Sequence, residues 1–134
     1  MRLARRKFDQ TEIDDALARL ASDRTLDDAR VALAAARREG VIRNRGRRRA
    51  LQRVQQLGVS AGIAKAAVDE VFADIDETAQ LDRAIDKKLR GNDPGQLDDK
   101  AKARLVRSLL GQGFDAERVY NRLARKRLTP RSEE

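Results

Sequence analysis

The feature that most constrains this chain is a local plan that recurs three times along its 134 residues. Phe8, Val59 and Phe114 stand 51 and then 55 residues apart, and each is flanked in the same way. Five residues before them come Leu3, Val54 and Leu109; the next residues after them are Asp9, Ser60 and Asp115; nine residues after them come Leu17, Val68 and Leu123. An apolar anchor, then a short polar residue able to cap a helix, then apolar residues at helical spacing, spells helix, tight turn, helix. Gly58 and Gly113 precede two of the anchors and can adopt the left-handed conformation that closes a helix, whereas Lys7 holds that place in the first copy.

A further helix is expected between successive hairpins. Thr25-Leu26-Asp27-Asp28 reads as the opening of one, with Leu26, Ala29, Leu33 and Ala36 along one face. Its counterpart runs from about Thr78 to Leu89, with Leu81, Ala84, Ile85 and Leu89 on one face and Gly91 at its end. The run Gly91-Asn92-Asp93-Pro94-Gly95 is then a loop, and a fresh helix starts near Asp98 carrying Leu105, Val106, Leu109 and Leu110. The expected fold is therefore all-α, with tandem three-helix repeats stacked into an elongated, curved helical array. Residues 1–42 form a first repeat lacking most of its first helix, 43–91 a second, 92–128 a third lacking its last helix, and 129–134 a disordered tail.

Composition agrees with helices. Aromatics make up only 3% of the chain, so the core must be built from Leu, Val, Ile and Ala, and Leu and Ala are strong helix formers. Cysteine and histidine are both absent, which removes disulfides, thiol nucleophiles, imidazole bases and the usual nitrogen or sulfur ligands of zinc. The remaining candidates are carboxylates: Asp14-Asp15, Asp27-Asp28, Asp98-Asp99 and the run Asp74 to Glu77. Adjacent acids point about 100° apart on a helix, and most of these fall where a first turn is expected and an acid complements the helix dipole. No enzymatic activity, cofactor, metal site or small-molecule substrate is expected. No apolar run approaches the ~20 residues that cross a bilayer, so no membrane partner is expected and the cytoplasm is the expected compartment.

Charge is where a partner announces itself. Nine basic residues and one acid, Glu39, lie between Arg37 and Lys65, giving that segment the whole net charge of +8, and Gly40 to Val68 contains no acid at all. A surface made only for solubility mixes both signs. Arg43, Arg45, Arg47, Arg48, Arg49 and Arg53 are the candidate contacts, since guanidinium groups grip phosphate or carboxylate with two prongs. With Leu51, Val54 and Leu57 facing the core, Arg45, Arg48, Arg49 and Arg53 have directions open to solvent. The segment holds no aromatic on which single-stranded bases could stack, and the helix after Gly58 is poor in base-reading side chains. Phosphate contact, or contact with an acidic protein groove, is what these residues allow.

Three stretches together resemble the RecX family. They are Arg5-Arg6-Lys7-Phe8-Asp9-Gln10-Thr11-Glu12-Ile13; the arginine-rich Arg49-Ala50-Leu51-Gln52-Arg53-Val54-Gln55-Gln56-Leu57-Gly58-Val59-Ser60; and Lys102 to Phe114. The likeness runs from Arg2 to about Lys126. It implies a monomeric regulatory protein lying along the groove of the RecA–single-stranded DNA filament, touching RecA and DNA phosphates. There it restrains recombinase, ATPase and coprotease activities in DNA repair and the SOS response. The chain departs from the family in its short first helix and its few aromatics. Two other readings stay open: a general basic nucleic-acid-binding module with no RecA partner, and a protein-interaction scaffold with no nucleic acid.

Overall fold

The computed structural model describes residues 10–128, and every regular element among them is helical. We number the α-helices α1 (Gln10–Arg37), α2 (Arg47–Gln55), α3 (Ala61–Ala73), α4 (Glu77–Leu89), α5 (Asp99–Gly111) and α6 (Ala116–Leu128). A π-helical turn, Arg38–Ile42, finishes α1, and a 3-10 turn, Pro94–Gln96, lies between α4 and α5. None of the described helices is long and apolar enough to cross a membrane. The anchor Phe8, its partners Leu3, Lys7 and Asp9, and the tail 129–134 lie outside the described residues.

The helix starts are set by side chains that accept from orphan backbone amides. Ser60 accepts from Ile63 N at 3.2 Å, Asp76 from Ala79 N at 3.0 Å, Asp98 from Ala101 N at 2.7 Å and Asp115 from Arg118 N at 3.1 Å. Each such cap is worth about 1 kcal/mol. At the other ends, Gly58 and Gly113 take φ values of 87° and 98°, the left-handed geometry that lets the chain turn out of α2 and α5.

One expectation fails. Residues 10–37 form a single 28-residue helix, not two helices meeting near Thr25. The stretch Ala21 to Thr25 contains no glycine or proline, and the Thr25 hydroxyl donates to the Ala21 carbonyl at 3.0 Å, as a residue inside a helix does. Thr25 therefore caps nothing, and Leu26, expected on the buried face, is 56% exposed. Residues 10–27 are exposed throughout, Leu17 included; packing begins only in the last third of α1.

Two apolar cores hold the rest. In the first, Ala32 and Ala36 of α1 meet Ala50 and Val54 of α2 and Ala64, Ala67, Val68, Val71 and Phe72 of α3. Alanine at so many contacts leaves little side chain between backbones, so the helices can approach closely. In the second, Leu81, Ala84, Ile85 and Leu89 of α4 meet Leu105, Val106 and Leu109 of α5, with Phe114 from the turn before α6 and Val119 from α6 itself. Positions 55 residues apart have matching environments. Val54 and Leu109 are both fully buried, as are Ala64 and Val119.

Candidate nucleic-acid interface

The arginine-rich segment runs from the end of α1 through a linker into α2, and that linker lies between the two cores. It is tied to the second core at several points. Gln80 Nε2 donates to the carbonyl of Gly40 at 3.1 Å and to that of Arg45. Asn44, at a positive φ of 54°, donates through Nδ2 to the Gln80 carbonyl at 2.9 Å. Arg83 donates to Asn44 Oδ1 at 3.2 Å. Farther on, Gly46 N donates to Gln112 O at 2.8 Å and Arg48 N to Gly113 O at 3.2 Å. These bonds fix the linker as structure, so the arginines it carries start from determined places.

The six candidate arginines do not form one patch. Arg47 is engaged within the fold: it bonds Asp69 at 2.6 Å, lies 3.7 Å from Glu77, and stacks 5.3 Å from the Phe72 ring centroid. Its position explains this, because Arg47 precedes Ala50 by three residues and Val54 by seven, which puts it on the buried flank of α2. Lys65 also bonds Asp69, at 2.6 Å. Chiefly that bond, and with it the bond from Arg47, holds the Asp69 carboxyl below its ordinary range, against the opposing effect of burial.

Arg48, Arg49 and Arg53 follow on the flank of α2 away from the buried Ala50 and Val54, with Gln52 and Gln56 among them. Arg48 still borders Arg47 in a pocket that Glu77 and Asp115 also line, and Arg49 is half-buried against Gly113. Arg49 donates to Gln52 Oε1 at 3.4 Å and Arg53 to Gln56 Oε1 at 3.1 Å, so two guanidinium groups on this row are steadied by neutral partners that leave their charge uncompensated.

Arg43 and Arg45 turn instead toward α4. There they line a groove of about 500 Å³ with Asn44, Ala84, Lys87, Lys88, Arg90 and Gln112, and no carboxylate is among the lining residues. Lys87, Lys88 and Arg90 were not recognised from the sequence as site residues. The signal was present in α4, where Asp82 and Asp86 recur at a four-residue interval and so do Arg83 and Lys87, one register along. The structure separates the two rows. Asp82 receives two bonds of 2.6 Å from Arg122 of α6, and Arg122 is held above its ordinary value chiefly by that contact, with the charge of Asp86 adding to it. Asp82 and Asp86 therefore face α6, while Arg83, Lys87 and Lys88 face the linker.

Glu39, the one acid of the basic segment, is 3% exposed and lies 3.4 Å from Arg43, which is itself half exposed. It is thus turned inward and offsets part of the Arg43 charge, leaving no acid beside Arg45 and the α4 cations among the residues that line the groove. Comparison of the chain with protein-family models, with curated proteins and with solved structures finds no match.

Proposed function

We propose that this chain is a RecX-like regulatory protein that binds the RecA–single-stranded DNA filament and restrains its recombinase, ATPase and coprotease activities. The observation that carries the reading is the placing of one basic segment between two helical cores. The likeness of the quoted stretches to the RecX family supports the partner. The finer architecture, tandem three-helix repeats, belongs to the same proposal. Its support is the matched pairs Val54 and Leu109, Gly58 and Gly113, Ser60 and Asp115, and Ala64 and Val119, all at one offset. On this reading the row Arg48, Arg49 and Arg53 meets an acidic surface of RecA or the phosphates of its DNA, and the protein acts by occupancy, without catalysis.

The test is ATP hydrolysis by RecA on single-stranded DNA. Added protein is expected to lower the rate in a saturable way, and the triple variant Arg48→Glu, Arg49→Glu, Arg53→Glu to lose at least about tenfold in potency. An unchanged rate at saturating wild-type protein rejects the proposal. A second reading, a basic nucleic-acid module without a RecA partner, draws on the acid-free groove beside α4. It predicts salt-sensitive DNA binding with no effect on the RecA rate.

A further inference from the structure

The groove and the outer row of α2 are different surfaces, and their chemistry differs. The groove gathers five cations from sites distant in sequence: Arg43 and Arg45 from the linker, Lys87 and Lys88 from the last turn of α4, and Arg90 just after it. Lys87, Lys88 and Arg90 have no ion pair among the described residues. In the last turn of a helix, lysines also complement the dipole, and that alone would explain two cations. It does not explain why Arg90 and two linker arginines join them, or why Asp82 and Asp86 are turned to Arg122 on the other side.

From this we infer that the groove formed by Arg43, Arg45, Lys87, Lys88 and Arg90 is a binding site for the phosphodiester backbone of a nucleic-acid strand. Ala84 is the only apolar lining residue. Protein interfaces are anchored by aromatic or aliphatic side chains seated in pockets, and this groove offers none, which argues against an acidic protein as its occupant. It offers three arginine forks, two ammonium groups and the side-chain amide of Gln112, all suited to non-bridging phosphate oxygens. With no ring to stack on, the site reads the backbone and not the bases. The inference deepens the proposed function and rests on it only for the filament; it assigns DNA to this groove and leaves the outer row of α2 for RecA.

The experiment is fluorescence anisotropy of a labelled oligothymidine with the full chain, titrated across salt concentrations. It compares wild type, the neutral triple Lys87→Gln, Lys88→Gln, Arg90→Gln, and the outer-row triple Arg48→Glu, Arg49→Glu, Arg53→Glu. Circular dichroism and melting confirm that each variant folds; the neutral substitutions are chosen because they add no acid to the end of α4. Each phosphate contact on a single strand contributes about 0.7 to the slope of log K against log salt. The groove variant is therefore expected to lose about 2 from that slope and at least about tenfold in affinity near physiological salt. Wild-type affinity and slope in that variant overturn the inference, as does loss of binding confined to the outer-row variant. Retained DNA binding with lost RecA inhibition assigns the groove to an acidic protein surface and also overturns it. Lost DNA binding in the groove variant, with no wild-type effect on RecA, upholds the groove and rejects the RecA reading.

Discussion

Gly113 packs so closely against Arg49 that a Cβ on the glycine would lie 2.3 Å from the Arg49 backbone nitrogen. The turn between α5 and α6 is thereby fitted against the first turn of α2, where Gly113 O also accepts from Arg48 N at 3.2 Å. Gly58 is the matched residue at the end of α2; it has a similar φ, yet nothing stands within 4 Å of its would-be Cβ. The two glycines thus separate a conformational cost from a steric one. Gly58→Ala should destabilise by about 1–2 kcal/mol, the cost of a side chain in the left-handed region. Gly113→Ala should cost at least about 3 kcal/mol, because the same strain is joined by a backbone clash that no rotamer relieves. Urea unfolding of the two variants checks this, and equal losses would show that the contact with α2 gives way easily.

Gln80 ties the linker to the second core. It is 1% exposed, and its amide nitrogen serves the carbonyls of Gly40 and Arg45. Gln80→Glu replaces a donor shared by two carbonyls with a carboxylate facing both. The expected loss is about 3 kcal/mol or more, since a buried charge without a donor is costly. Gln80→Met, similar in shape, should lose about 2 kcal/mol and loosen the linker without introducing charge. Thermal melting ranks the three proteins, and Glu no worse than Met would mean that the site is wet.

How much of this was legible in the sequence depends on distance along the chain. The caps at Ser60 and Asp115 and the buried faces of α4 and α5 could be read because each rests on residues within one or two turns. The break near Thr25 was misread because Thr-Leu-Asp-Asp makes a good helix start in isolation. It stops acting as one when Ala21 to Arg24 can continue the helix beneath it. Arg47 belongs to the arginine run by sequence but shares a face with Ala50 and Val54, a spacing that could have excluded it from the contact set. The groove could not be read: Lys87 lies more than forty residues from Arg45, and bonds such as those of Gln80 and Asn44 bring them together.

The exposed part of α1 makes a prediction about dynamics. A helix of 28 residues extends about 42 Å, and residues 10–27 contribute no buried side chain to either core. Tertiary packing supplies most helix stability in proteins, and these exposed residues gain none from either core. Amide hydrogen exchange should show little protection over residues 10–27 and strong protection from Ala32 onward. Uniform protection along α1 would require a partner for the exposed Ile13, Leu17 and Leu20.

Arg122 and Asp82 form the best-aligned ion pair of the second core, two bonds of 2.6 Å with side chains 30% and 25% exposed. A double-mutant cycle of Arg122→Met and Asp82→Asn should give a coupling of about 1–2 kcal/mol, above the level of an ordinary surface pair. The single Arg122→Met should also leave Asp82 without its two bonds from α6. Its loss is therefore expected to exceed that of Asp82→Asn and to shrink as salt is added. Equal, salt-insensitive losses would mean that packing of the arginine stem, and not its charge, holds α6 to α4.

The Asp69 carboxylate couples the stability of the fold to acid pH. Its ordinary value is 3.8, and in the folded chain the bonds from Lys65 and then Arg47 draw it lower. A carboxyl depressed by folding contributes stability that is fully present above its unfolded value and is lost as pH falls through the folded one. The stability–pH curve should therefore descend below about pH 3.8, and Asp69→Asn should flatten that descent while lowering stability near neutrality. The variant also frees the Arg47 guanidinium from its nearest carboxylate, leaving Glu77 at 3.7 Å as its remaining acid partner. DNA affinity of Asp69→Asn is then informative: Arg47 lies on the flank of α2 away from the groove, so the affinity should stay within about twofold of wild type. A marked rise would place Arg47 among the phosphate contacts after all.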